Sequence, residues 1–187
     1  MKTIRYEMDG DRVVTLTFDA PGAPVNTMSA EWQSDLEAAV ARLQQEKDAL
    51  AGVIITSAKS TFFAGAELKE LVKATPQDAP RVFEGVERIK KSLRALEKLG
   101  KPVVAALNGA ALGGGWEIAL AAHCRIVLDD PKIQLGSPEV TLGLIPGGGG
   151  IVKMSRLLGL QGAFPYLVEG RLLRPHDAAE LKLVQGL

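Results

Sequence analysis

The stretch from Pro102 to Leu120 constrains the fold of this chain more than any other. It reads Pro-Val-Val-Ala-Ala-Leu-Asn-Gly-Ala-Ala-Leu-Gly-Gly-Gly-Trp-Glu-Ile-Ala-Leu. Val103–Leu107 is an apolar run long enough for one buried strand, and Asn108-Gly109 interrupts it. Gly113, Gly114 and Gly115 come next, then Glu117 just inside an apolar segment, Ile118–Ala122, that suits a buried helix. Consecutive glycines at a helix entrance cost backbone entropy and add no packing. What they permit is close approach of another group to bare peptide N–H groups at a positive helix end. A carboxylate one turn into such a helix, among Ala, Leu and Ile, is costly to bury without a partner or a chemical task.

The rest of the chain supplies matching pieces. Ile4–Met8 and Val13–Phe18 alternate as two strands around an Asp9-Gly10-Asp11 turn. Ser29 is placed to cap a helix with Trp32, Leu36, Val40 and Leu43 on one face. Val53–Thr56 reads as a buried strand, Phe62–Ala66 as an apolar segment ending at a glycine bend, and Glu67–Val72 as a short helix. Thr75-Pro76-Gln77-Asp78 is a helix start, and Phe83, Val86, Ile89, Leu93 and Leu96 then recur at helical spacing. Arg125–Leu128 and Ile133–Leu135 are expected strands. A second glycine run, Gly147–Gly150, opens a helix from about Ile151 to Leu158, and 161–169 and 176–184 are expected to be helical. Strands and helices interleave, which indicates α/β organisation in one domain.

Composition excludes several classes. Basic and acidic residues both number 22, so no bulk charge draws the chain to nucleic acid. No stretch approaches the ~20 apolar residues of a membrane helix. The one cysteine, Cys124, forms no internal disulfide, which fits a reducing, cytoplasmic setting. His123, His176 and Cys124 do not have the spacing of a His/Cys metal site, so none is expected. The glycines around 109–115 do not spell G-x-G-x-x-G, and no G-K-[ST] follows Gly147–Gly150, so neither nucleotide fingerprint holds.

Two constellations remain. Ala66 and Gly114 each sit at a glycine-rich entrance to a helix, and side by side their N–H groups would hold a developing negative oxygen. Either loop alone is explained by tight turning; both together, with a carboxylate beyond each bend, point to chemistry. Glu117 and Glu139 lie 22 residues apart, far enough for the chain to return and bring them to one cavity as proton donor and acceptor. Taken singly, Glu139 after Pro138 also reads as an ordinary loop residue.

Three segments carry a family resemblance: Phe62–Lys69 (Phe-Phe-Ala-Gly-Ala-Glu-Leu-Lys), Ala105–Glu117, and Leu135–Gly150 (Leu-Gly-Ser-Pro-Glu-Val-Thr-Leu-Gly-Leu-Ile-Pro-Gly-Gly-Gly-Gly). In order and content they resemble the crotonase (enoyl-CoA hydratase/isomerase) superfamily. The Pro146–Gly150 run and Ala121–Arg125 most resemble the N-terminal module of multifunctional fatty-acid oxidation α subunits. The resemblance implies a crotonase-like spiral of β-β-α units spanning 1–187. It implies a thioester oxygen held by Ala66 and Gly114 N–H, with any side chain at Gly114 clashing with the thioester. It also implies coenzyme A along Pro24, Val25 and Asn26 and along Ala64, Leu68 and Lys69. With Glu117 and Glu139 catalytic, the implied activity is hydration of trans-2-enoyl-CoA in fatty-acid β-oxidation. The rivals are Δ3-Δ2-enoyl-CoA isomerisation and an acyl-CoA-binding fragment without turnover. No metal or redox cofactor is expected, because coenzyme A enters as part of the substrate. Homo-oligomers, or fused or associated β-oxidation enzymes, are the implied partners. Glu67 stands where the family usually has Asp, and Leu187 falls before the helices that would cover the pocket, so the chain reads as truncated at its C-terminus.

Overall fold

Alternation in Val13–Phe18 puts Val14, Leu16 and Phe18 wholly inside, so this strand must lie against a layer of helices. A computed structural model describes all 187 residues and shows how that demand is met. Strand β1 (Ile4–Met8) pairs antiparallel with β2 (Val13–Phe18), as the hairpin pattern requires. Helix α1 (Ala30–Glu46) then crosses over, its first turn capped by Ser29 Oγ accepting from the Trp32 N–H at 3.2 Å. It returns the chain to β3 (Gly52–Ser57), parallel to β2. Helices α2 (Leu68–Leu71) and α3 (Ala79–Glu97) lead to β4 (Val103–Leu107), parallel to β3. The short strand β5 (Ala111–Leu112) and helix α4 (Gly114–Ala121) lead to β6 (Cys124–Val127), parallel to β4. The main sheet is therefore ordered β1-β2-β3-β4-β6.

A second, smaller ladder runs beside it. Phe63 bridges Ala111, and β5 pairs parallel with β7 (Leu135–Gly136), which in turn bridges Leu173. Each pass of the chain thus contributes a strand to the main sheet, a shorter segment to the second ladder, and a helix. That is the expected spiral of β-β-α units. Helices α5 (Gly150–Leu167) and α6 (Pro175–Glu180) complete the chain. No helix is long and apolar enough to cross a membrane.

Between the sheet and α1 lies an aromatic cluster: Phe18 meets Trp32, Phe62 and Phe63 at ring centroids 5.8, 5.8 and 5.4 Å apart, and Trp32 meets Phe63 at 4.9 Å. Phe62 and Phe63, just before the first glycine bend, are fully buried there, which anchors that bend to the core.

Several boundaries differ from the sequence reading. The last short strand is Leu135–Gly136, not Ile133–Leu135; Ile133 is buried by packing outside the ladder. The helices expected over 151–158 and 161–169 form one run, broken at Gly159, whose φ of 73° and ψ of 165° are not helical. The helix expected to reach residue 184 stops at Glu180. Leu183 and Val184 are instead buried by a turn in which both N–H groups donate to Ala178 O. Phe83 keeps the helical period of α3 but is 66 % exposed, because the core ends before the first turns of that helix.

Candidate active site

Two glycine bends bring two bare peptide groups together. Gly65 (φ 95°) turns the chain after the buried Phe62-Phe63 pair, and Gly113 (φ 54°) turns it into α4; both angles lie in the left-handed region that favours glycine. The bends face each other: a Cβ on Gly65 would lie 3.5 Å from Gly114 N and 3.0 Å from Leu112 O. Each donor peptide is held by its carbonyl. The Met28 N–H donates to Gly65 O at 2.9 Å, and the Glu117 N–H donates to Gly113 O at 3.0 Å. In a trans peptide the C=O and N–H point oppositely, so these bonds aim the Ala66 and Gly114 N–H groups away from the scaffold. Neither N–H has an acceptor within the protein. The two predicted donors therefore stand at adjacent bends with their hydrogens free.

Glu117 is only 3 % exposed in a helix whose every residue is buried. Its partner is the second glycine run. Gly150 N–H donates to Glu117 Oε1 at 2.8 Å, and the backbone N–H groups of Gly148 and Gly149 add support. The approach is close: a Cβ on Gly148 would meet Glu117 Oε2 at 2.7 Å, and one on Gly150 would meet Cγ and Oε1 at 3.1 Å. Trp116 Nε1 donates to Met154 Sδ at 3.4 Å, which fixes α4 against α5 and so aligns carboxylate and cradle. Burial pushes the Glu117 carboxyl above its ordinary value, and the three N–H groups at the positive start of α5 oppose that rise.

Glu139 lies on a 3₁₀ turn, Glu139–Leu142, after Pro138. Its Oε1 would lie 3.0 Å from a Cβ on Gly113, so the carboxyl reaches the bend that presents the Gly114 N–H. Its Oε2 is buried with no hydrogen-bond partner. Burial raises its pKa to about 7; its own backbone N–H works against this, and the nearby Glu117 charge adds to it. The two acids are near enough for the Glu117 charge to act on Glu139, yet their surroundings differ, one with glycine amide donors and a helix end, the other with an orphan oxygen. This is the arrangement that lets one carboxyl stay ionised while its neighbour holds a proton.

The remaining predicted residues divide. Ala64, Leu68 and Lys69 are exposed on the rim beside Ala66, and Pro24 is exposed while Val25 is half-buried. Asn26 is 1 % exposed and its side chain is fully engaged. Oδ1 accepts from Ala20 N–H at 2.9 Å, and Nδ2 donates to Ser57 Oγ at 2.9 Å, with longer contacts to Phe18 O and Phe62 O. Its carbonyl accepts from Ala64 N–H at 2.9 Å. Asn26 therefore ties the 20–28 loop to the bend that carries Ala66.

A side chain at Gly114 is expected from sequence to strike a thioester. The geometry gives a different obstacle, since its Cβ would fall on the Met28 side chain, 2.6 Å from Sδ and in contact with Cε. Met28 and the Glu117 cradle are the site features that sequence reasoning missed. The cradle was signalled by a second glycine run at a helix start, a place that holds an anion. His123, by contrast, is used structurally: Nδ1 accepts from Val103 N–H at 3.0 Å, and Nε2 lies 3.1 Å from Glu97 O. A cleft of about 760 Å³ between α3 and α5 reaches the site only through Gly148 and Gly149, and neither Glu117 nor Glu139 lines it.

Residues 9–187 match the family model for enoyl-CoA hydratase/isomerase. Among solved structures, an enoyl-CoA hydratase from Bacillus anthracis is 32% identical, with a TM-score of 0.88 over 98% of this chain and 69% of that one. An enoyl-CoA hydratase from Thermoplasma volcanium GSS1 is 27% identical, with a TM-score of 0.87 over 100% of this chain and 71% of that one. One from Bacillus halodurans is 26% identical, with a TM-score of 0.88 over 98% and 72%.

Proposed function

This chain belongs to the enoyl-CoA hydratase/isomerase family, and from that premise we propose that it adds water across the double bond of a trans-2-enoyl-CoA, as in fatty-acid β-oxidation. The observation that carries this reading is the pairing of two free N–H groups, at Ala66 and Gly114, with two carboxyls, Glu117 and Glu139, held in contrasting surroundings. The N–H pair polarises the thioester carbonyl and draws electron density from the double bond, leaving C3 electrophilic. Each such donor is typically worth about 3 kcal/mol in the transition state.

The surroundings assign the two acids. Glu117, facing three amide donors at a helix start, is the more readily ionised and takes a proton from the water. The water oxygen bonds to C3 as the double-bond electrons pass toward the thioester oxygen. Glu139, which keeps its proton up to about pH 7, delivers it to C2. One water has then been added, and the proton now on Glu117 returns to Glu139 through the next water. Asn26 serves by holding the loop next to the Ala66 bend, and Ala64, Leu68 and Lys69 form the exposed rim along which the coenzyme lies.

Mixing the chain with crotonyl-CoA and following loss of enoyl absorbance tests this directly; no hydration over the solvent rate would end the hydratase reading. The same assay with a 3-enoyl-CoA measures any isomerase activity of the pocket.

The pH dependence follows from Glu139. As the proton donor it must be neutral, so kcat/KM should fall as pH rises through about 7. Stability should respond in the same direction. A carboxyl raised from 4.5 to about 7 keeps in the folded chain a proton that the unfolded chain gives up, so stability falls as pH rises through that window. Glu139→Gln should flatten the decline in Tm between about pH 5 and about pH 8. An unchanged slope would mean that Glu139 titrates in its ordinary range.

A further inference from the structure

The segment between Asn26 and the α1 cap touches both halves of the donor pair, although none of its side chains enters the reaction described above. Met28 N–H donates to Gly65 O, the carbonyl of the same peptide group whose N–H is the Ala66 donor. Met28 Sδ and Cε lie against Gly114, where that residue has no Cβ of its own. The residue is half-buried and packs on the core, and its carbonyl accepts from Gln33 Nε2 at 3.4 Å. Ser29, the next residue, caps α1.

We propose that Met28 is the positioning residue that sets the separation and aim of the Ala66 and Gly114 N–H groups. Its backbone fixes one donor peptide and its side chain braces the other. The inference rests on the hydratase reading of the same site. The chemistry of the side chain suits the task, because an unbranched thioether fills the irregular space beside a bare glycine without a fixed shape of its own. Gly113 and Gly114 have no side chains; backbone bonds from Gly113 N–H to Gly136 O and from Glu117 N–H to Gly113 O hold the α4 entrance, and Met28 supplies the side-chain contact at Gly114. The Met28 N–H is itself committed to Gly65 O, so it is not a third donor to the oxygen.

Shortening the side chain leaves the backbone bond intact and removes only the brace. Misplacing a donor by about 1 Å costs on the order of 10²-fold in rate. Met28→Ala and Met28→Val should therefore lower kcat for crotonyl-CoA by roughly ten- to a hundredfold while KM changes much less. Met28→Leu, which restores volume, should recover most of that loss. The direct readout is the carbonyl stretch of bound, isotopically labelled butyryl-CoA, which is saturated and does not react. Wild type should lower that frequency, the Ala and Val variants should lower it less, and Leu should restore the shift.

A filler role predicts otherwise: lower melting temperatures, with kcat per folded molecule and carbonyl frequency both as in wild type. That result would overturn the proposal and leave the hydratase reading standing. If wild type lowers the carbonyl frequency but does not hydrate, the hydratase reading falls, and the variants' frequencies still decide Met28. If wild type does neither, both fall together.

Discussion

Glu139→Gln should lower the rate of crotonyl-CoA hydration by about 10²–10⁴, the usual worth of a positioned proton donor. Glu117→Gln should cost a similar factor for a different reason. Its carboxamide can still accept from Gly150 N–H, so the α4–α5 contact survives while the base is lost. If the two carboxyls handle one water, their losses should not add, and the double variant should be little slower than the slower single one. Any isomerase activity that needs only a carboxyl near C2 should vanish in Glu139→Gln and persist in Glu117→Gln. A purely structural Glu117 predicts the reverse pattern, with altered melting and unaltered turnover per folded molecule. Rates and melting curves of the three variants separate the two cases, and near-wild-type hydration by Glu117→Gln would sink the assignment.

Gly114→Val should abolish measurable hydration, a loss of at least about 10²-fold, while the circular-dichroism spectrum stays that of a folded chain. The added atoms enter the space held by Met28 Sδ, so either that side chain or the start of α4 must move. Movement of α4 displaces the Gly114 N–H itself. Gly114→Ala in a Met28→Ala background removes the facing side chain and should regain part of the folded stability lost by Gly114→Ala alone. Retained turnover in Gly114→Val would place the oxyanion donors elsewhere.

Much of this was legible in the residues because it is local. Alternation in Val13–Phe18, the Ser29 cap and the apolar run Val103–Leu107 each depend on neighbours a few positions away, and each element forms where that pattern puts it. The two bends were legible too, as glycine-rich turns before helices; only their occurrence together pointed beyond tight turning. Periodicity misled at Phe83, where a helix continues past the edge of the core and its spacing no longer reports burial. The Glu117 cradle joins residues 33 positions apart and the Met28 contact joins residues 86 apart, from 114 and 28. No local pattern encodes either. Asn26 illustrates a third case: the family resemblance places it beside the coenzyme, and what local sequence does not show is that its buried side chain ties the 20–28 loop to Ser57 and Phe62.

The spiral has a consequence for ligand-linked stability. Ala66 follows the strand of one pass, Gly114 that of the next, and Glu139 that of the pass after, each joined to its neighbour through the Phe63–Ala111 and Ala111–Leu135 contacts. If a thioester binds as proposed, between the Ala66 and Gly114 N–H groups and against Glu139, it is a strut across successive passes and has no binding site until those passes have docked. Mass action then protects the whole ladder at once: a non-reacting acyl-CoA at about 100 times its Kd should stabilise the native state by about 2.7 kcal/mol. Amide hydrogen exchange should slow together in β3, β4 and β6, the main-sheet strands of the passes that build the site, while β1, which stands outside those passes, should share only the protection of global unfolding.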